Sequence, residues 1–147
     1  MSKDLTQLKF SQALPILTKL IETESFLDAF QDIKEKQEEF ELRLLDERNR
    51  LKNENERTIK HADSSGKSAI EIRRCEDNMK IELEKFDQSA LMRWDSLKSQ
   101  QQLTLQNLGV PTFCLTKDPI ILKRQQQVLE VIISSLNDRE TNLDSEE

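Results

Sequence analysis

The sequence has little of what builds loops, disulfides and catalytic sites. Its 147 residues include two glycines, three prolines, two cysteines, one histidine and no tyrosine. So few glycines and prolines leave few places where a helix must end. Two cysteines do not form a disulfide framework, and the pattern of a zinc site is absent. These absences favour long helices in a reducing compartment, so we predict a cytoplasmic protein, with a nuclear location also open.

The sequence also has no long apolar run and no excess of positive charge. Hydrophobic residues make up 35% of the chain and charged residues 34%, a balance typical of exposed helices with narrow apolar seams. No run reaches the about 20 residues that a membrane span needs, and the start lacks the apolar core of a signal peptide. We therefore expect neither a transmembrane nor a secreted protein. The net charge of −6 argues against nucleic-acid binding, and we expect membrane contact only indirectly.

The longest stretch without glycine or proline covers residues 68–108. Ser68 followed by Glu71 is typical of a helix start, and Gly109 followed by Pro111 is typical of a helix end. The spacing of the apolar residues predicts one helix of about 40 residues. Its apolar stripe contains Ile72, Cys75, Met79, Leu83, Phe86, Ala90, Trp94, Leu97, Leu105 and Leu108.

A second helix of similar length is predicted for residues 25–62, where apolar residues recur at steps of three and four. A turn over residues 63–67 separates it from the first, so the two should pair as an antiparallel coiled-coil hairpin. A turn centred on Ser65 places Phe40 opposite Ala90. The predicted hairpin seam contains Phe40, Leu44, Leu51, Met79, Phe86 and Trp94.

Shorter helices are predicted at both ends of the chain. Residues 5–22 have helical spacing interrupted by Pro15, which predicts either a kinked helix or, as we favour, a first turn ending near Ala13 and a new helix beginning with Pro15. Asp118 and Pro119 are a typical N-cap and first helical residue for a helix over residues 118–136. We predict an all-α fold, with both short helices packed at the base of the hairpin in one elongated domain over residues 1–136. Residues 137–147 are predicted to be a disordered acidic tail.

Candidate chemical groups are few and isolated. His61 stands beside the predicted turn without a second ligand nearby, and Cys75 lies in the apolar stripe, where packing is its expected role. The run Gly66-Lys67-Ser68 lacks the earlier glycine of a phosphate-binding loop. The sequence therefore predicts a protein that is not an enzyme. It names no catalytic, cofactor-binding or metal-binding residue, no cofactor and no small-molecule substrate.

The apolar face of the last helix is wider than a two-helix seam requires, and it follows an apolar connection. Apolar surface of this extent is typical of partner sites. We predict an interaction subunit or adaptor of a hetero-oligomeric complex of the trafficking, organelle-positioning, kinetochore or cytoskeletal type, with other coiled-coil proteins or a second copy as partners. The alternative is a dimeric membrane-associated module of crescent type; an enzyme is the least favoured. The predicted partner-binding residues are Phe113, Leu115, Leu122, Leu129, Ile132 and Leu136.

Overall fold

The computed structural model describes residues 4–145. This part of the chain contains helices and no strand, so the prediction of an all-α fold is confirmed. None of its helices combines the length and the apolar character that a membrane span requires. A short 3-10 helix, Leu5–Gln7, precedes four α-helices: α1 (Phe10–Ile21), α2 (Glu24–Ser64), α3 (Ala69–Asn107) and α4 (Pro119–Ser145).

The fold divides into two compact units where we predicted one domain. Unit 1 contains Met1–Glu35 and Lys98–Glu147, and unit 2 contains Lys36–Leu97. The long helices α2 and α3 therefore contribute residues to both units. Unit 1 is built from the two ends of the sequence, whereas unit 2 is one continuous segment.

Pro15 lies inside α1, so the predicted break between Ala13 and Pro15 is wrong. The break comes earlier, at Leu8 and Lys9, whose backbones are extended. The side chain of Gln12 caps the new helix by accepting a hydrogen bond from the Lys9 N–H at 3.1 Å. Pro15 is tolerated because it lies on the exposed face of α1, where water can hydrate the backbone carbonyl that its missing N–H leaves free.

The turn between α2 and α3 and the end of α3 share one backbone arrangement. Gly66 and Gly109 have φ angles of 73° and 85°. After them, Lys67 N–H donates to Ala62 O at 3.3 Å, and Val110 N–H donates to Leu105 O at 3.0 Å. This is the hydrogen-bond pattern of a helix that ends in a left-handed glycine, because glycine adopts a positive φ at little cost.

The core of unit 1 collects apolar side chains from all four helices and from the connection before α4. The backbone of the connection is tied to the N-terminal segment, since Thr112 N–H donates to Leu5 O at 2.8 Å. The fully or almost fully buried residues of the unit 1 core include Ala13, Leu17, Phe30, Leu105, Val110, Val128, Ile132 and Leu136.

The prediction of disorder for the acidic tail is wrong for residues 137–145, which continue α4. Residues 146–147 lie outside the described part of the chain. Side chains of this extension form hydrogen bonds and an ion pair. The Arg139 guanidinium forms an ion pair with Asp28 of α2 at 3.0 Å, and Thr141 Oγ1 donates to Asn137 O at 2.9 Å.

In unit 2, residues of α2 contact residues of α3 one helical turn further along than the predicted register. The Phe40 and Trp94 rings form a T-shaped contact with centroids 5.1 Å apart, whereas we predicted Ala90 opposite Phe40. The difference arises because α2 ends at Ser64 and α3 begins at Ala69, which centres the turn beyond Ser65. When the centre of the turn moves by one residue, the α3 residue that faces a given α2 residue moves by about two.

Candidate interaction surface

The start of α4 is fixed by two local hydrogen bonds. Asp118 Oδ1 accepts from the Ile120 N–H at 2.9 Å, as expected of an N-cap residue. The Asp118 N–H in turn donates to Thr116 Oγ1 at 3.0 Å. These bonds set the direction in which α4 leaves the connection and hence which of its faces meets the core.

Three of the six predicted partner-binding residues belong to the core of unit 1. Phe113 is 3% exposed, and Ile132 and Leu136 are fully buried. The prediction that these three residues bind a partner is therefore wrong, since the fold itself buries them. The N-terminal helix, the end of α3 and the connection together cover more of the face of α4 than we expected from their lengths.

The other three predicted residues remain accessible. Leu115 is 54% exposed, Leu122 is 39% exposed, and Leu129 is half-buried against the edge of the core. Ile133, also 39% exposed, follows Leu129 by one helical turn. Because residues three, four and seven apart share a helix face, Leu122, Leu129 and Ile133 form one stripe beside the buried face. We call these three residues the α4 stripe.

A buried glutamine that the sequence did not lead us to predict holds the connection against α4. Gln125 is 4% exposed, and its Nε2 donates to Thr112 O at 3.1 Å and to Cys114 O at 3.2 Å. Its Oε1 accepts from Gln102 Nε2 at 3.1 Å. The sequence contains a signal for its burial, because residue 125 lies four residues after Ile121 and three before Val128, the spacing of one apolar helix face.

Thr112, at the centre of this network, has a φ of 72° and is fully buried. A β-branched residue is rarely found in the left-handed region, so its backbone is held there by the bonds to Leu5 and Gln125. Within residues 4–145, its Oγ1 has no hydrogen-bond partner. Both features make Thr112 a locally unfavourable residue that the surrounding packing maintains.

The start of α4 also carries positive charge beside exposed apolar side chains. Lys117 and Lys123 are exposed, and Ile120 between them is 65% exposed. Neither lysine takes part in an ion pair within residues 4–145. This face is separate from the α4 stripe, because Ile120 and Leu122 point in directions about 160° apart on a helix of 3.6 residues per turn.

The predicted seam residues of unit 2 are only partly shielded from water. Leu44 is 8% exposed, while Phe40, Leu51, Met79, Phe86 and Trp94 are all half-buried. Polar contacts flank them. The Arg93 guanidinium pairs with Glu47 at 3.0 Å and lies 5.9 Å from the Phe86 ring centre, and Arg48 pairs with Asp87 at 3.0 Å.

The pKa shifts of Asp87 and Cys114 arise from an ion pair and from burial. The hydrogen bond from Arg48 holds the pKa of Asp87 below its usual value. Burial, with a smaller effect from the negative charge of Asp4, raises the pKa of the Cys114 thiol. His61 is exposed, and its backbone carbonyl accepts hydrogen bonds from Ser64 and Ser65. Within residues 4–145, no three His, Cys, Asp or Glu side chains are grouped as metal ligands.

Comparison with protein-family models, with curated proteins and with solved structures found no match.

Proposed function

We propose that this protein is a non-enzymatic interaction subunit or adaptor whose α4 stripe binds a helix of another protein in a hetero-oligomeric complex. The observation that carries this proposal is the position of Leu122, Leu129 and Ile133. They lie together on one face, beside a closed core, and remain partly open to solvent. A partner helix laid along α4 would cover them with its own apolar residues at helical spacing.

Unit 2 supplies the second part of the proposal, an antiparallel coiled-coil hairpin formed by the middle parts of α2 and α3. The ring contact of Phe40 with Trp94 and the ion pair of Arg48 with Asp87 support it, because α2 residues later in the chain meet α3 residues earlier in the chain. The half-buried seam is in keeping with two helices alone, which cover each other on one side only. The two free cysteines support a cytoplasmic or nuclear location.

The proposal is tested by affinity capture from cells with the full chain and two variants, the captured proteins being quantified by mass spectrometry. Leu122→Glu with Ile133→Glu places two charges on the α4 stripe, and we expect at least about a tenfold loss of a defined partner, since burying an unpaired charge is costly. Leu103→Glu is the matched control, because Leu103 is 41% exposed in unit 1 and lies on α3. It should retain the partner. Equal recovery with all three chains would refute the role of the α4 stripe.

A further inference from the structure

The acidic net charge of the chain conceals a basic segment. Residues 98–129 contain one acidic residue, Asp118, and four basic residues, Lys98, Lys117, Lys123 and Arg124, while the whole chain has a net charge of −6. Leu115, Lys117, Ile120 and Lys123 are exposed at the start of α4. We call these four residues the basic face. The one acidic residue, Asp118, is exposed there too, but its carboxylate is engaged as the N-cap of α4 by the Ile120 N–H.

Unit 2 carries a surface of the opposite charge. Leu42 and Leu45 are 67% and 57% exposed and lie one turn apart on α2. Glu38 and Glu41 precede them by four residues each, so each carboxylate stands one turn from a leucine on the same side of the helix. All four residues are exposed, and this side points away from the seam residues Phe40 and Leu44. We call them the acidic face.

The two faces match in composition. Each has two exposed aliphatic side chains and two charged ones. The charges of one face are positive and those of the other negative, and none of the four charged side chains takes part in an ion pair within residues 4–145. Apolar contact supplies attraction at short range, and opposite charge fixes which surfaces meet.

We infer that the basic face of one chain binds the acidic face of a second copy. A second copy is the occupant that the charges favour, because the chain itself presents an acidic helix with an adjacent pair of leucines. The contact is small, so the association is weak and reversible. It uses a side of α4 other than the α4 stripe, so it does not depend on the partner proposed above.

The first test measures the self-association of the wild-type chain at different salt concentrations. The molar mass is followed by light scattering, or by sedimentation equilibrium, from about 10 to 500 µM, the range in which weak contacts associate. Exposed charges are screened by salt, so raising it from about 0.05 to 0.5 M should weaken the association by on the order of tenfold. A monomer over the whole range at low salt overturns the inference.

Charge reversal tests which surfaces meet. K117E/K123E gives a chain with two acidic faces, and E38K/E41K gives a chain with two basic faces. Each variant alone should be monomeric, because like charges then oppose each other. An equimolar mixture should associate again, since the native acidic face of the first variant meets the native basic face of the second. K60E/K67E is the control, because it changes the net charge as K117E/K123E does, at exposed lysines outside both faces.

Three results of the charge-reversal experiment also overturn the inference: association that persists in both charge variants, a mixture that stays monomeric, and a control variant that loses association. Circular dichroism first confirms that each variant keeps its helicity; if one does not fold, the salt series and the other variant decide. Vesicles containing phosphatidylserine provide the last comparison, because anionic lipid also attracts exposed lysines. Sedimentation with vesicles that K117E/K123E abolishes, without any self-association, would assign the basic face to a membrane.

Discussion

At the scale of single residues, the connection before α4 carries the least favourable local conformation. Thr112 has a positive φ, full burial and a hydroxyl without a hydrogen-bond partner within residues 4–145, and Gln125 donates to its backbone carbonyl and to that of Cys114. The free energy that the core gains from Val110 and Phe113 offsets these costs. Local sequence preference would have placed glycine or asparagine at position 112.

Thr112→Val should stabilise the protein. Valine has the same branched shape, so the backbone strain is unchanged while the unpartnered hydroxyl is removed. We expect the free energy of unfolding, measured by urea denaturation, to rise by about 1 to 2 kcal/mol. Thr104→Val is the control, because Thr104 is exposed; it should change the stability by less than about 0.5 kcal/mol. A loss of stability in Thr112→Val would reveal a partner for the hydroxyl.

Cys114 should react slowly with thiol reagents. Its raised pKa means that, at a given pH, a smaller fraction of the thiol is the reactive thiolate. In a C75S variant, the rate of reaction with a disulfide reagent should stay below that of a small free thiol at pH 8 and keep rising above pH 9. The same variant unfolded in urea is the control and should react at the ordinary rate. An ordinary rate in the folded protein at pH 8 would contradict the burial of this thiol.

At the scale of elements, the sequence was informative about helices and much less so about how they pack. Ser68 and Gly109 marked the ends of α3 because capping is a local property, and Asp118 marked the start of α4 for the same reason. The pairing of Phe40 was missed by a turn because facing positions depend on the exact length of the turn. The burial of Ile132 and Leu136 was missed because it depends on distant parts of the chain.

The contact of Phe40 with Trp94 can be measured by a double-mutant cycle. We compare F40L, W94L and F40L/W94L by urea unfolding and expect a coupling energy of about 0.5 to 1.5 kcal/mol, the range for edge-to-face aromatic pairs. The control cycle combines F40L with M79L. Met79 belongs to the same seam but lies about four turns of α3 away from Trp94, the residue that Phe40 contacts, so the effects of F40L and M79L should add. Equal coupling in both cycles would argue against the register described above.

At the scale of the whole molecule, the two units differ in how completely they exclude water. Val128, Ile132 and Leu136 of unit 1 are fully buried, whereas the seam of unit 2 contains half-buried residues along most of its length. Local opening costs least where few apolar contacts are broken. The two units should therefore differ in local stability although both are helical.

Hydrogen exchange measures this difference directly. Backbone amides of α4 from residue 128 to residue 136 should be more strongly protected than amides of residues 58–76, on either side of the turn in unit 2. Protection factors, which are corrected for intrinsic exchange rates, make the two segments comparable in one experiment on the wild-type chain. Equal protection would mean that the partial burial of the seam does not lower its stability.

The division of unit 1 between the two ends of the sequence has a consequence for synthesis in the cell. Residues 36–97 can pair as soon as they have left the ribosome, but Leu17 and Phe26 meet Val128 and Ile132 only after the second half of the chain exists. At about 5 to 20 residues per second, translation of residues 98–136 takes about 2 to 8 s. During that interval the apolar face of α1 lacks the α4 residues that complete its core, and a ribosome that stalls after residue 97 would leave this face uncovered.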